Sequence, residues 1–384
     1  MALRSQNAAL LAKIETTSGT DSVPAATDAI RCQNMAISFA PALITANEYS
    51  GSLDASPPIV GGMPVTVSFD VFLKGSGAAA TAPEWGRLLR ACGWAETITS
   101  TAVPASAEAL AAGGSTTSAV LGASAAATAQ LYRGMPVVLT GAQAGLSYIT
   151  DYTAAKLATL TDSFGAALLA TTSYQIPVNV RYAPASLNIP SVTLYCFVDG
   201  IRYRVTGARG NVSFALQSGQ AGTMRFTFQG RILDKADAAI PTGLVYDQTV
   251  RPIWIGGRAT MNRVQVGMSS LSLDMANRLV TPDNPNDVEG FDPAEINGRN
   301  LTGQLVRQEY LVATETAFAD FRAQTARIVH ARFGLAAAVG NRIGLTVPAA
   351  QYTGHQPGDQ GGVATLAVPF SATGPDSGAF LAIH

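Results

Sequence analysis

Apolar and polar side chains alternate over a long stretch near the start of the chain, at residues 61–77. The apolar set consists of Met63, Val65, Val67, Phe69, Val71 and Leu73, and the polar set of Thr66, Ser68, Asp70 and Lys74. A repeat of two residues is typical of a β-strand that buries one face and exposes the other. The stretch therefore predicts a long strand with one apolar and one wet face.

The same context recurs later in the chain, which indicates an internal repeat. In both places a short alternating strand is followed by a polar segment rich in Pro, Asp and Asn, and then by a long strand, the second of which is predicted at residues 296–316. The interval from Ala36 to Val65 is 29 positions, and the interval from Leu271 to Leu301 is 30. We therefore expect one supersecondary unit to be built twice.

The second long strand alternates less regularly than the first. Arg307 and Glu309 occupy positions at which buried side chains are expected. A β-bulge inserts one extra residue and changes the face on which the following side chains lie. A bulge near Val306 would restore the alternation of buried and exposed side chains. The sequence leaves open whether such a bulge exists.

A helix is predicted after each long strand, at residues 81–94 and 314–328. Apolar residues recur there at the three- and four-residue spacing of an amphipathic helix; they are Trp85, Leu88, Leu89 and Cys92 in the first helix and Phe318, Phe321 and Ile328 in the second. Two further alternating strands close each copy. The pattern predicts, for each copy, a helix packed on an antiparallel sheet.

An insertion distinguishes the first copy from the second. It contains a hairpin with Asp199 and Gly200 as its turn, and a segment poor in charge that alternates in short strands. Loops accept such insertions at low thermodynamic cost. We therefore predict an N-terminal arm that orders on assembly (1–30), a discontinuous first copy (31–100 and 186–245), an inserted, outward-projecting β module (101–185) and a second copy (246–384).

The composition is that of a folded chain with few charges. Of the 384 residues, 47% are hydrophobic and 13% are charged, and the net charge is -1. Such a chain is unlike a disordered one and offers no basic field for nucleic acid. Its three widely spaced cysteines do not form a disulfide framework, and we expect neither a signal peptide nor a membrane span. These features favour folding in a reducing cytoplasm and burial of the surface against other copies.

We expect no catalytic, metal-binding or cofactor-binding site. The three histidines are scattered at His330, His355 and His384, and no phosphate-binding glycine loop or nucleophile elbow occurs. The acidic stretch at residues 282–292 departs from a calcium-binding loop, because Pro285 and Val288 stand where a ligand and a glycine are needed. An enzyme reading is therefore disfavoured.

Several stretches resemble the tail tube proteins of long flexible-tailed, siphovirus-type bacteriophages and prophages. Residues 4–30 are similar to their N-terminal arm through LLAKIET, GTD and the VP that follows, and GSLDASP and APEWGRLLRACGWAE continue the match. The stretch LYRGMPVVLTGAQAGLSYITDY resembles a small β module found in various phage structural proteins. Together these stretches cover most of the first 235 residues, while the second copy matches by its pattern.

The resemblance implies a major tail protein, which is a structural protein of the virion. The fold would be mainly β (α+β), with two tandem tail-tube-like β-sandwich or half-barrel domains, each with a flanking helix, and an inserted small all-β domain. Such subunits form homo-oligomeric rings that stack into the viral tail, the conduit for DNA ejection. Because this chain carries two copies, three chains would complete one pseudo-sixfold ring.

The resemblance also implies partners and a location. The partners are other copies of the chain, the tape measure, tail terminator and distal tail proteins, and double-stranded DNA that passes without specific binding. The location is the virion tail, assembled in the host cytoplasm without membrane insertion.

Two sets of residues are predicted to serve assembly. The wet faces of the long strands would line the lumen, through Thr66, Ser68, Asp70, Asn300, Thr302 and Gln304. The long polar loops would reach the neighbouring ring, through Glu48, Asp54, Asp283, Asp287 and Glu289. A tail-tip or adhesin-like component that binds the host surface through the inserted module is the alternative.

Overall fold

Strands account for 49% of the chain and helices for 4%, so the predicted mainly β class is confirmed. The computed structural model describes residues 3–45, 49, 51, 54, 56–334 and 339–384. Its principal sheet is curled into a half-barrel. The alternating stretch at residues 61–77 forms a strand that buries every second side chain from Val65 to Leu73, as its period predicts.

The first half of the chain begins with β1 (Ala8–Ile14), a 3-10 turn (Ala26–Asp28), β2 (Ala29–Ile30), β3 (Gln33–Phe39), β4 (Leu43–Ile44), β5 (Ile59–Val60), β6 (Pro64–Phe72), α1 (Gly86–Ala91) and β7 (Trp94–Thr99). The inserted module follows, with β8 (Val103–Ala109), β9 (Ser118–Val120), β10 (Pro136–Gly141), β11 (Gly145–Tyr152), β12 (Leu157–Leu160) and β13 (Thr172–Ile176). The first half then resumes with β14 (Asn179–Pro184), β15 (Val192–Val198), β16 (Ile201–Gln217) and β17 (Thr223–Asp237).

The second half contains β18 (Arg258–Met261), β19 (Val264–Gln265), β20 (Met268–Asp274), β21 (Asn277–Val280), β22 (Glu295–Arg299), β23 (Thr302–Gln308) and α2 (Ala317–Ala323). It ends with β24 (Arg327–Phe333), β25 (Ile343–Tyr352), β26 (Gln356–Gln360), β27 (Val363–Ala372) and β28 (Phe380–Ile383).

Eight antiparallel strands lie side by side across both halves. Their order is β3-β6-β17-β16-β20-β23-β27-β26. The first four strands come from the first half and the last four from the second. The two halves are joined by β16 and β20, which pair from Ser213 opposite Asp274 to Gln217 opposite Ser270.

The strand order of the first half recurs in the second, and it corrects the alignment of the two copies. Ile37 of β3 lies opposite Val67, and Leu271 of β20 lies opposite Leu305. Both β3 and β20 carry an irregularity just before these pairs. The paired residues are therefore 30 positions apart in the first half and 34 in the second. The agreement between intervals of 29 and 30 residues aligned Val65 with Leu301. The strand pairing instead makes Val67 equivalent to Leu305, so that Val65 is equivalent to Gly303.

One continuous core runs through both halves. It extends from Leu10 near the N-terminus to Ile383 near the C-terminus, and it includes strands of both halves. The predicted division into two tandem domains is therefore not confirmed. In the first half the rings of Phe69, Phe226 and Phe228 stack at centroid distances of 5.7 to 6.0 Å.

The N-terminal residues belong to the main sheet, so the predicted separate arm is wrong. All seven residues of β1 lie opposite residues of β15, and Leu10 and Ala12 are buried. The stretch AALLAKI is buried along most of its length because both of its faces are covered. Leu10 and Ala12 belong to the main core, whereas Ala9 and Leu11 pack in a second cluster with Tyr195 and Phe197.

The inserted module has a six-stranded sheet and a core of its own. Its predicted boundary at residue 185 is too late, because β14 pairs with β7 and β28 of the main sheet. The module also packs against the second half, where the ring of Tyr148 lies 4.6 Å from that of His330. At this contact the module rests on the body of the protein and does not project freely.

Arg307 points into the core, so no bulge re-phases β23. Its pairing with β27 is continuous from Thr302 to Gln308, and the irregularity lies in β20, between Met268 and Ser270. When the two halves are aligned so that Leu305 corresponds to Val67, Arg307 corresponds to Phe69. Burial is possible because the Arg307 guanidinium is ion-paired with Glu315 and donates to the Gln308 carbonyl at 2.7 Å.

Both helices are shorter than their patterns predict, and the second differs in its contacts. Trp85, Leu88 and Leu89 are buried in and beside α1, as expected. Phe318 of α2 is exposed instead, and Ile328 belongs to β24. Between the two predicted closing strands of the second copy, residues 348–362 contain the end of β25 and all of β26.

Candidate assembly surfaces

The face of the curved sheet turned away from the core carries most of the predicted lumen residues. Residues directly opposite each other in an antiparallel ladder lie on the same face. One such row crosses both halves through Asp70, Arg225, Ser213, Asp274 and Thr302. Five of the six predicted residues share this face, namely Thr66, Ser68, Asp70, Thr302 and Gln304.

The charged side chains named on this face have polar partners within the chain. Asp70 lies 3.5 Å from the exposed guanidinium of Arg225 and accepts a hydrogen bond of 2.7 Å from the Asn34 amide. Asp274 accepts one of 2.7 Å from Asn211. Arg225 and Asp274 were not among the predicted residues, although both stand at polar positions of alternating strands. The face therefore carries charges of both signs.

Asn300 does not join the others. It is exposed and lies just before β23. It lines a surface cavity of about 400 Å³ together with Arg299 and Asp376. The Arg299 guanidinium is ion-paired with Asp376 there, so the cavity holds no uncompensated charge from this pair.

The curved sheet has an open edge at each end. β3 pairs only with β6, and β26 pairs only with β27, within the residues that the structure describes. All five residues of β26 are exposed. An open edge presents unpaired backbone donors and acceptors and is a template for pairing with another chain. Each end of the sheet is therefore competent to bind a further strand.

The predicted inter-ring residues divide into two groups. Asp287 is ion-paired with Arg231, and Glu289 accepts a hydrogen bond of 3.1 Å from the Met63 backbone, so both are bound inside the chain. Hydrogen bonds from backbone amides and from Arg231 lower the pKa of Asp287. Asp283 and Asp54 are exposed, and Glu48 lies outside the described residues.

The hairpin of β4 and β5 exposes apolar side chains on both of its strands. Leu43 pairs with Val60 and Ile44 with Ile59, and all four side chains are largely exposed. Contiguous exposed apolar side chains often mark a contact with another protein. The hairpin lies in the first of the two loops predicted to reach a neighbouring ring.

A buried polar cluster lies where the inserted module meets the second half. Asp162 of the module lies 3.2 Å from the Arg258 guanidinium and 3.8 Å from that of Arg332. His330 is fully buried and shares a hydrogen bond of 2.8 Å with Thr346. Burial lowers the pKa of His330, and it lowers the pKa of His384 to about 4.

No protein-family model matches the chain, and no curated protein matches it in sequence. Among the described residues no helix is both long and apolar enough to cross a membrane.

Proposed function

We propose that this chain is the subunit of a bacteriophage tail tube, which assembles into stacked rings. The observation that carries the proposal is the continuity of the curved sheet from one half to the other. β16 and β20 pair within one chain, and the same type of edge is left open at β3 and β26. A further chain added at either edge would extend the sheet in the same direction of curvature.

The internal repeat sets the symmetry of the ring. Each chain supplies two four-stranded segments of similar order, so three chains supply six. A closed ring removes both open edges, which is the usual way for curved sheets to avoid uncontrolled pairing. The ring would then have threefold chain symmetry and pseudo-sixfold strand symmetry.

The polar face would form the wall of the conduit. Small hydroxyl and amide side chains cover much of it. Of the charged residues named above, Asp70 and Arg225 are paired with each other, and Asp274 accepts a hydrogen bond from Asn211. Passing DNA is densely negative, and unpaired Lys or Arg side chains would add affinity without regard to sequence. A wall of paired charges suits a duct through which DNA slides. The location would be the virion tail.

Negative-stain microscopy of the purified protein tests the proposal, with native mass spectrometry of the same sample. We expect rings or tubes with a central lumen and a ring mass of three chains. A ring of six chains would contradict the symmetry. A protein that stays monomeric at all concentrations, with or without the other tail proteins, would contradict the function.

A further inference from the structure

The loop that follows the long strand differs sharply between the halves. Since Val67 corresponds to Leu305, Leu73 corresponds to Leu311 and Lys74 to Val312. Leu73 and Lys74 are buried, whereas Leu311 is 80% and Val312 84% exposed. The first half therefore has a cover over this loop that the second half lacks.

Two pieces of the second half form the cover. One is the segment at residues 247–254, which we call the linker segment. It places Asp247 3.0 Å from Lys74, donates from Thr249 to the Ser76 carbonyl at 2.9 Å and sets Arg251 over the ring of Phe72 at 4.0 Å. The linker segment thus spans the loop between β6 and α1.

The other piece is the connection between β24 and β25. Gly75 donates its backbone N–H to the Asn341 side chain at 2.8 Å, and Gly77 donates to the Gly340 carbonyl at 3.3 Å. The backbones are so close that a Cβ on Gly75 would lie 1.9 Å from the Gly340 oxygen. This joint between the halves is tightly fitted and admits no side chain at Gly75.

Both covering pieces have counterparts in the first half. The linker segment leads into β18, and β18 pairs with β24 as β1 pairs with β15. Residues 3–7 lead into β1 in the same way, so they correspond to the end of the linker segment and the residues between it and β18. The contacts of Asp247, Thr249 and Arg251 come from the part of the linker segment that precedes this counterpart. The counterpart of the β24–β25 connection is the turn at Asp199 and Gly200 between β15 and β16.

Residues 3–7 and the turn at Asp199 and Gly200 are hydrogen-bonded to each other at the surface. Asp199 accepts hydrogen bonds of 2.7 Å from the Arg4 backbone and from the Asn7 amide. Hydrogen bonds from Asn7 and Arg4 lower the pKa of the Asp199 carboxyl. Leu3, beside them, is 56% exposed. We call residues 3–7 with this turn the leading corner.

We propose that the leading corner of one chain covers the uncovered loop and helix α2 of the next. The receiving surface consists of Leu311, Val312 and Phe318 with the apolar cavity beside them. That cavity measures about 270 Å³ and is lined by Tyr310, Phe318 and His355, among others. It is smaller than a typical small-molecule site and suits an aliphatic side chain such as that of Leu3.

The proposal rests on the proposed ring. It adds a second contact to the interface at which β26 of one chain would pair with β3 of the next. Within one chain, the β16–β20 pairing and the cover over residues 73–78 occur together. Between chains, pairing of β26 with β3 would bring the leading corner to the receiving surface by the same arrangement. The exposed Glu309 beside that surface and Arg4 in the leading corner also have opposite charges.

Cross-linking between two different chains, each with one added cysteine, tests the contact. Leu311→Cys and Leu3→Cys chains are mixed in equal amounts, assembled and treated with a short bifunctional maleimide. We expect covalent dimers from the mixture and none from either variant alone. The native thiols serve as background: Cys92 and Cys196 are buried, and burial raises the pKa of Cys32 to about 12. The wild-type chain should therefore give no dimers.

A substitution provides the second measurement. Leu311→Asp should raise the protein concentration needed for assembly about tenfold or more, because it places a charge in the apolar contact. Leu187→Asp is the matched control, since Leu187 is 79% exposed and lies outside the contact. Both side chains are in solvent in the single chain, so both variants should keep the wild-type circular dichroism spectrum.

The outcomes separate this inference from the proposed function. Tubes of wild-type protein, with cross-linked dimers from the mixture and impaired assembly of Leu311→Asp only, would support the contact. Normal tubes without cross-linked dimers, and with Leu311→Asp assembling like Leu187→Asp, would overturn the contact while the function stands. Absence of any self-association in the wild-type chain would overturn the function and this contact together.

Discussion

The two halves share a strand order but differ in how completely the single chain covers them. In the first half, Phe69 lies in an aromatic stack, and Leu73 is buried in the main core. In the second half, Arg307 takes the place of Phe69, and Leu311 and Phe318 remain exposed. The first half is thus covered by other parts of its own chain, while the second half leaves apolar side chains exposed.

The difference shows how a duplicated unit can serve both folding and assembly. A joint between halves that forms within one chain costs no translational entropy, so it forms when the chain folds. The proposed joint between chains would incur that cost and would form only above some concentration. The same contact can therefore hold the monomer together and remain reversible between subunits.

The largest expected effect comes from removing the part of the first half that pairs at β1. Deleting residues 2–20 removes seven paired residues and the buried side chains of Leu10 and Ala12. We expect loss of the cooperative thermal transition, measured by circular dichroism. Deleting residues 2–3 alone should leave that transition in place. If the chain without residues 2–20 still unfolds cooperatively, β1 is an arm that the fold does not need.

The next effect concerns the buried ion pair that replaces an aromatic ring. Glu315→Ala leaves the Arg307 guanidinium buried without its carboxylate, and we expect a loss of about 3–5 kcal/mol in the free energy of unfolding. Urea titration measures this loss. The double variant Arg307→Leu with Glu315→Gln should recover most of it, because no charge remains buried. A loss below about 1 kcal/mol for Glu315→Ala would show that the pair is not needed for burial.

Acid should lower the free energy of unfolding through the second half, because all three histidines lie there. Folding lowers the pKa of His330 and of His384, so the unfolded chain binds more protons below pH 6.5. Stability should therefore fall as the pH drops from 6.5 toward about 4, by at most about 1.4 kcal/mol per pH unit for each histidine. Urea titrations across this range measure the slope, and His384→Gln should reduce it. A flat profile would contradict the burial of neutral imidazoles.

The smallest effect on stability is expected on the polar face. Asp70→Asn removes an ion pair with the exposed Arg225, which should cost less than about 1 kcal/mol. Asp70→Lys should also assemble, but it would place two cations side by side on the proposed lumen wall and slow DNA ejection. Infectivity of phage that carry this substitution measures the second effect, with Asp70→Asn as the control. Unchanged ejection by the lysine variant would argue against the lumen assignment.

Local patterns predicted much of the fold correctly. Alternation located β6 and the strands of the inserted module at β10, β11 and β12, and the turn at Asp199 and Gly200 followed from its residue types. These features depend on neighbours within a few residues, so a short stretch of sequence contains the necessary information. The same reasoning placed Thr66, Ser68 and Asp70 on the wet face.

Other elements could not be identified locally. β1 reads as a short apolar run, and only β15, more than 170 positions later, makes it a core strand. β26 consists of exposed polar, glycine and proline residues, and pairing with β27 alone makes it a strand. Arg307 reads as a break in the pattern until Glu315 is placed beside it.

The sequence by itself determined the mainly β class, the presence of a repeat and the two-sided character of its strands. The period of hydrophobic residues follows directly from the backbone geometry of a strand. Only the tertiary structure decided which strands are neighbours, where the edges stay open and which half is covered. Those features depend on pairing between residues far apart in the chain, and they locate the surfaces on which a second copy would bind.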